Sequence, residues 1–257
     1  MAFALTVVEL KSSLEEPGCP ICGQNRRETQ RSVESYLNER LMDRGAREKL
    51  MGANGFCPHH LFMMVSQEMR DSGDPLGANI IYEQLSGRTL KSLETWEQEE
   101  LRSPAIVRRV KQTWRRLLKK EKIPLVASQP CPICFAVNTH IERTLAALME
   151  ELNRGTEDIT SLYGLGDGLC LSHFKQALSG FAFDYPQAAR YIVDDTRLRL
   201  EKQHNEMHEY IRKHNWSYRD EQLTQDEERA WRKTLAFYSG FPPDSFQPFA
   251  WPPDGVK

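Results

Sequence analysis

The chain has 257 residues, a length that allows one large domain or two smaller ones with a substantial buried core. Its formal net charge is −2, which excludes a polycation that coats nucleic acid through its overall charge. No run of 18 apolar residues occurs, so we expect no transmembrane helix. The N-terminal stretch lacks a basic start and soon becomes acidic, which disfavours a signal peptide and predicts a cytoplasmic protein.

The six cysteines form two similar patterns. The letters CPIC occur at 19–22 and again at 131–134, an offset of 112 residues. Downstream, GFCPHH at 55–60 matches GLCLSH at 168–173 with an offset of 113. Each half of the chain therefore contains C-x2-C followed by C-x2-H, and no cysteine is left over. This pattern indicates an internal duplication.

Apolar residues at helical spacing accompany both patterns. Pro75 and Pro186 each precede a further helical stretch, at 76–100 and 186–214, and proline is well tolerated where a helix begins. No alternating strand pattern occurs, so we predict an all-α fold of two pseudo-repeated helical units. The matching apolar positions are Val33, Tyr36 and Leu37 with Leu145, Leu148 and Met149, and Leu61, Met64 and Val65 with Phe174, Ala177 and Leu178.

The residue types and spacing predict two zinc sites. Zinc takes four tetrahedral ligands, with thiolate and imidazole favoured, and C-x2-C and C-x2-H spacings suit it. We expect each half to complete its own treble-clef-like site of three cysteines and one histidine, from C-x2-C and a C-x2-H at a helix start. The predicted ligands are Cys19, Cys22, Cys57 and His60 in the first half and Cys131, Cys134, Cys170 and His173 in the second.

Two other chemistries use similar motifs. C-x-x-C also performs thiol–disulfide exchange, but there it normally follows a strand in an α/β unit, and no strand is predicted here. An iron–sulfur centre is a further alternative, although one histidine with three cysteines is less usual for it. His59 is adjacent to His60, but Ser172 occupies the equivalent position in the second half, so His60 is the expected ligand.

The segment 101–122 is basic and amphipathic. It contains nine Lys or Arg residues and one Glu, with an apolar stripe at helical spacing. It therefore predicts either a nucleic-acid contact through Arg108, Arg109, Arg115 and Arg116, or a helix that connects the two halves and exposes its charges. An unidentified protein partner is the other expectation. Oxidation that ejects zinc would give a third function, a redox sensor.

The C-terminal part contains weaker signals. His204 and His208 lie four residues apart, but no third ligand is marked, so a polar helix face is expected. Thr224 and Glu227 predict a capping box for a helix that ends at Gly240, followed by a tail rich in proline and aromatic residues. No arrangement of residues identifies a catalytic site, so enzyme activity is left open and is not favoured.

These patterns divide the chain into four parts. We predict a first zinc-binding repeat at 1–100, the basic connecting helix at 101–122, a second zinc-binding repeat at 123–214, and a C-terminal helix and tail at 215–257. The expected function is a zinc-stabilised, non-enzymatic interaction or regulatory module. No membrane span and no cofactor other than two zinc ions are expected.

The paired half-sites and the ending KHNWSYRDEQLTQDEERAWRKTLAFYSG at 213–240 resemble an uncharacterised prokaryotic family. The resemblance extends over residues 5–240, and members of that family share the repeated half-sites and a similar ending. It implies metal binding by the eight matched positions and implies no particular reaction, substrate or partner.

Overall fold

The computed structural model describes residues 2–98, 127–218 and 220–246, without the side chains of residues 2–4. The predicted basic segment 101–122 and the end of the tail, 247–257, lie outside this part of the chain. Within the described ranges the protein forms ten α-helices and no β-strand, which confirms the predicted all-α fold. The predicted helices at 76–100 and 186–214 are present as Leu76–Trp96 and Pro186–Lys213.

The helices in chain order are α1 (Ala2–Leu14), α2 (Pro20–Ser35), α3 (Arg44–Gly52), α4 (Pro58–Ser72), α5 (Leu76–Trp96), α6 (Pro132–Arg154), α7 (Glu157–Leu165), α8 (Leu171–Phe181), α9 (Pro186–Lys213) and α10 (Gln225–Ser239). A π-helical turn at Tyr36–Arg40 continues α2, and short 3₁₀ turns lie at Trp216–Tyr218 and Pro243–Ser245. The four helices α2–α5 follow one another in the same order as α6–α9, with a long helix last in each series.

The chain contacts define two compact units. Unit one contains Met1–Glu28 and Thr139–Lys257, and unit two contains Thr29–Asn138. The boundaries fall inside α2 and α6, so each unit contains residues from both halves of the sequence. The four-part division expected from the sequence is a different partition of the chain and stays a prediction.

The core of unit one brings α1, α7, α9, α10 and the later turns of α6 together. Leu10, Ile159 and Ile192 are fully buried, and Lys11 of α1 pairs with Asp158 of α7 at 2.9 Å. The buried side chains of α6 include the predicted stripe of Leu145, Leu148 and Met149.

Helix α10 closes this core with small residues. It begins with the predicted capping box of Thr224 and Glu227 and ends at Gly240, as expected. Ala230 and Ala236 face the core, whereas Trp231, also on α10, is 38 % exposed. Small side chains allow α10 to approach α9 closely, and this position brings its C-terminal end to the site described below.

The core of unit two is formed from α3, α4, α5, the second part of α2 and the beginning of α6. The predicted Val33 and Tyr36 are 1 % and 2 % exposed, and Tyr36 packs edge-on against Phe56 with ring centroids 4.8 Å apart. The Tyr36 hydroxyl donates to the carbonyl of Ala46 on α3 at 3.2 Å. Glu68 of α4 accepts hydrogen bonds from backbone N–H groups at the start of α5, which fixes the α4–α5 turn.

Candidate metal centre

All four cysteine motifs have one local design. In each, the first cysteine immediately precedes a helix, and its carbonyl accepts the first helical hydrogen bond from the residue four positions later, at 2.8–3.0 Å. The second ligand, three residues after the first, therefore lies on the first turn of the helix. The four helices that begin in this way are α2 after Cys19, α4 after Cys57, α6 after Cys131 and α8 after Cys170.

Helix N-termini are suitable places for thiolates. The first N–H groups of a helix have no intrahelical acceptor, and the helix dipole adds partial positive charge there. Pro20, Pro58 and Pro132 occupy the first helical position in three of the four motifs, where the missing N–H removes no hydrogen bond. The prolines of CPIC therefore start a helix, and the C-x2-C pair lies across a helix N-terminus.

Cys19, Cys22, Cys170 and His173 come together in unit one, a group we call the Cys19 cluster. Nδ1 of His173 lies 3.3 Å from Sγ of both Cys22 and Cys170, and 3.5 Å from Sγ of Cys19. The Sγ atoms of Cys22 and Cys170 are 3.6 Å apart. One nitrogen and three sulfurs thus surround a common point.

Cys57, His60, Cys131 and Cys134 form the equivalent Cys57 cluster in unit two. Nδ1 of His60 lies 3.3 Å from Sγ of both Cys57 and Cys134, and 3.6 Å from Sγ of Cys131. The Sγ atoms of Cys57 and Cys134 are again 3.6 Å apart. The two clusters therefore repeat the same donor set, the same ring nitrogen and nearly the same distances.

These distances fit a tetrahedral metal ion. A zinc ion with Zn–S of about 2.3 Å and Zn–N of about 2.0 Å holds its ligands about 3.5–3.8 Å apart. In each cluster the four donor atoms all lie within 4.8 Å of one another. A sulfur separation of 3.6 Å is far longer than the about 2.05 Å of a disulfide, and all six cysteines are free. The arrangement can hold one cation in each unit.

The pairing of motifs differs from the expectation. Each C-x2-C contacts the C-x2-H of the other half of the sequence, so the first CPIC completes its cluster with Cys170 and His173. The physical reason is that spacing along the chain fixes only the ligands on one helix start. Which two helix starts meet is decided by the packing of helices far apart in sequence. The eight predicted residues are the eight that the structure brings together, in exchanged pairs.

The protonation of the two histidines differs between the clusters. Burial, with a contribution from His59, lowers the pKa of His60 below its ordinary 6.5. Burial also opposes protonation of His173, but hydrogen bonds to the thiols of Cys170 and Cys19 outweigh it and raise the pKa of His173 to about 9. Metal ligation requires a neutral imidazole, so a cation that enters the Cys19 cluster must displace a proton from His173 at neutral pH.

Segments distant in sequence cover the Cys19 cluster. Gly240, at the C-terminal end of α10, has φ +78°, and a Cβ there would lie 2.5 Å from Sγ of Cys22 and 3.4 Å from Sγ of Cys170. Pro242 lies against Gly18, with 3.0 Å between its Cα and a Cβ built on that glycine. Only a residue without a side chain fits at 240, so this glycine is required by contact with the cluster as well as by helix termination.

Arg199 of α9 fixes the loop that delivers Cys170. Its guanidinium pairs with Asp195 at 2.7 Å and donates to the carbonyls of Gly166, Gly164 and Tyr163. Asp167 in the same loop accepts a hydrogen bond from the backbone N–H of Gly18 at 2.6 Å. Residues 166–169 thus form a loop that positions Cys170. The role of Arg199 had no sequence signal, because nothing in the motif points to a residue 29 positions downstream of Cys170.

The Cys57 cluster has a different surrounding. Gly55, with φ +97°, packs against Tyr82 of α5, and the Tyr82 hydroxyl accepts a hydrogen bond from the N–H of Phe56 at 3.4 Å. Cys131 is 8 % exposed, but Cys57 and Cys134 are only half-buried. Two of its three thiols therefore keep contact with solvent, against one in the Cys19 cluster.

The remaining candidate residues are not part of either cluster. His59 is exposed while its neighbour His60 is buried, in agreement with the choice of His60. His204 and His208 lie exposed on α9 and belong to neither of the two metal-binding groups found among the described residues. Arg108, Arg109, Arg115 and Arg116 fall outside the described residues.

Comparison with known proteins identifies a family and no activity. Residues 3–244 match the model of a family described as "Family of unknown function (DUF6062)". No curated protein and no solved structure matches the chain. In the part of the chain that the structure describes, no helix is both long and apolar enough to cross a membrane. Since the match extends over nearly the whole sequence, the chain belongs to this DUF6062 family of unknown function.

Proposed function

We propose that the protein is a cytoplasmic interaction or regulatory module that is stabilised by two structural zinc ions and has no catalytic role. The observation on which this rests is the convergence of three sulfurs and one nitrogen in each unit, all within 4.8 Å of one another. Three thiolates and an imidazole favour zinc over the hard cations magnesium and calcium, which prefer oxygen ligands.

The donor set supports a structural role for the zinc ions. Catalytic zinc sites keep one coordination position open for water or substrate, whereas structural sites fill all four positions with protein ligands. Each cluster offers four side-chain donors, enough to fill a tetrahedral site. The ion would also join two helix starts from opposite halves of the sequence, with an apparent binding free energy on the order of 10 kcal/mol. That value is comparable with the whole stability of a domain, about 5–15 kcal/mol, so folding should depend on the metal.

A second candidate function is thiol-based sensing through the Cys57 cluster. Cys57 and Cys134 are half-buried with their Sγ atoms 3.6 Å apart, so an oxidant has access to two thiols that need only a small movement to join. Nucleic-acid binding through Arg108, Arg109, Arg115 and Arg116 remains a proposal from the sequence alone. A protein partner of the module likewise stays a proposal.

Elemental analysis of the purified chain tests the metal assignment. We expect two zinc ions per chain, and complete removal by a strong chelator should unfold the helices, which circular dichroism would record. Protein that contains no zinc and stays folded in chelator would refute the assignment. Protein that contains iron in place of zinc would replace the structural zinc proposal with an iron centre.

A further inference from the structure

A pocket with a volume of about 240 Å³ lies within unit one beside the Cys19 cluster. One wall is the loop that delivers Cys170, together with Gly18 and Cys19. Helix α9 contributes six residues between Thr196 and Glu206, and α10 contributes Lys233, Ala236 and Phe237. The pocket is thus built from rigid helices on two sides and from the metal-binding loops on the third.

Two of its charged residues are committed to the fold. Arg199 is occupied by Asp195 and by three carbonyls at the end of α7 and just after it, and Asp167 by the N–H of Gly18. Glu206 is 15 % exposed and lies 3.5 Å from Lys202, so its charge is balanced inside the wall. These groups form the pocket wall. A ligand would have to be bound by other residues.

The groups left for a ligand are donors. Lys233 lines the pocket half-buried, and its ammonium makes no hydrogen bond or ion pair within the described part of the chain. The side-chain amide of Gln203 contacts the Thr234 hydroxyl at 3.2 Å, and that hydroxyl also has the carbonyl of Ala230 as an acceptor at 3.0 Å. In either orientation the amide keeps at least one N–H for a ligand. An ammonium without a partner can pair with an anion that enters the pocket. Leu200, Ala236 and Phe237 add an apolar surface next to these donors.

We propose that this pocket binds a small organic acid, whose carboxylate contacts Lys233 and Gln203 and whose short apolar body lies against Phe237. Drug-sized ligands occupy pockets of about 300–1,000 Å³. A volume of about 240 Å³ lies just below that range and suits a short-chain acid. The acid does not have to coordinate the metal. The proposal therefore holds whether the zinc ion is structural or catalytic.

Ligand-observed NMR with butyrate on the metal-loaded full chain tests the pocket. We expect saturable binding to the wild type, and affinity at least about tenfold lower for Lys233→Met, since a charged hydrogen bond is lost. Lys175 on α8 is an exposed lysine of the same unit outside the pocket, so Lys175→Met should bind as the wild type does. Lys233→Arg should restore most of the affinity, which separates loss of charge from loss of structure.

Three outcomes would overturn the proposal. They are the absence of saturable butyrate binding to the folded wild type, equal weakening by Lys233→Met and Lys175→Met, and unchanged binding in Lys233→Met. Inorganic phosphate is the second probe. If phosphate binds at the same lysine and butyrate does not, the ligand class proposed here is wrong.

Discussion

The Cys19 and Cys57 clusters hold the same donors at the same distances, yet they differ in what covers them. In the Cys19 cluster two thiols are 5 % and 3 % exposed, and Gly240 lies directly on the third, Cys22. In the Cys57 cluster two thiols are half-buried. Similar helix N-termini thus give the two clusters the same ligand geometry. The segments that cover each cluster, which are unrelated to one another, determine how much solvent reaches the thiols. Metal affinity and chemical reactivity can therefore diverge between two sites of one design.

The largest expected effect comes from serine substitutions that distinguish the two ways of pairing the motifs. In Cys19→Ser/Cys170→Ser both changes fall in one cluster, so the chain should retain one zinc ion. In Cys19→Ser/Cys57→Ser each cluster loses a ligand, so both ions should be lost. Loss of a structural site costs on the order of 10 kcal/mol, enough to unfold the affected unit. Metal content by mass spectrometry measures the difference.

The two double variants are controls for each other, because both contain Cys19→Ser and each has one further cysteine replaced by serine. If the halves of the sequence formed their own sites, the results would be reversed. Retention of one ion by Cys19→Ser/Cys57→Ser would therefore contradict the exchanged pairing directly.

The exchanged pairing also shows where sequence reasoning ends. Local rules of spacing, capping and periodicity predict the helical class, the helix bounds at Leu76, Pro186 and Gly240, and the eight Cys and His residues that cluster. They do not predict the partner of each half-site, since it depends on contacts between residues about 150 positions apart, such as Cys19 and His173. Arg199 was missed for the same reason, because its carbonyl contacts exist only once α9 lies beside the loop.

Gly240→Ala should be the most damaging single change outside the ligands. The new Cβ would meet Sγ of Cys22 at 2.5 Å, and the φ of +78° adds backbone strain. Gly73→Ala is the matched control, since Gly73 also ends a helix with φ +71° but has nothing within 4 Å of its Cβ position. We expect Gly240→Ala to lower the free energy of unfolding by about 1–3 kcal/mol more than the control does.

Zinc retention distinguishes the cause of that loss. Competition with a chromogenic chelator should show faster release of one ion from Gly240→Ala and unchanged release from Gly73→Ala. Equal destabilisation by the two changes would mean that backbone strain explains everything and that contact with Cys22 contributes nothing.

Mild peroxide should attack the Cys57 cluster first. Its half-buried Cys57 and Cys134 thiolates would each lose one electron to form a disulfide, while hydrogen peroxide takes two electrons and two protons to give two waters. The zinc ion then leaves, and a dithiol reductant should restore binding. We expect release of the first ion several-fold faster than the second, because access to thiolates controls their oxidation.

Peptide mapping after alkylation identifies the thiols that react. We expect a Cys57–Cys134 disulfide to form before any Cys22–Cys170 disulfide. Both sulfur pairs are 3.6 Å apart, so the order would reflect solvent access and not distance. The reverse order would show that Gly240 does not protect Cys22, and the sensing proposal for unit two would fail.

The smallest expected difference concerns two glycines at equivalent positions, two residues before the third cysteine of each half. Gly55 and Gly168 both have positive φ, +97° and +72°, but a Cβ at 55 would lie 3.1 Å from the Tyr82 hydroxyl, whereas one at 168 would be 3.4 Å from Arg199. We expect Gly168→Ala to cost about 1–2 kcal/mol of unfolding free energy from backbone strain. Gly55→Ala should cost about 1 kcal/mol more because of crowding.

A double-mutant cycle assigns that extra cost. If the hydroxyl of Tyr82 is responsible, Tyr82→Phe should recover part of the loss in Gly55→Ala, although on its own it removes the acceptor for the Phe56 N–H. Additive effects of the two changes would instead place the cost outside the hydroxyl, in the backbone at φ +97° or in the contact with Cδ1 of Leu85 at 3.2 Å. In that case the Tyr82 hydroxyl would contribute nothing to the difference between the loops before Cys57 and Cys170.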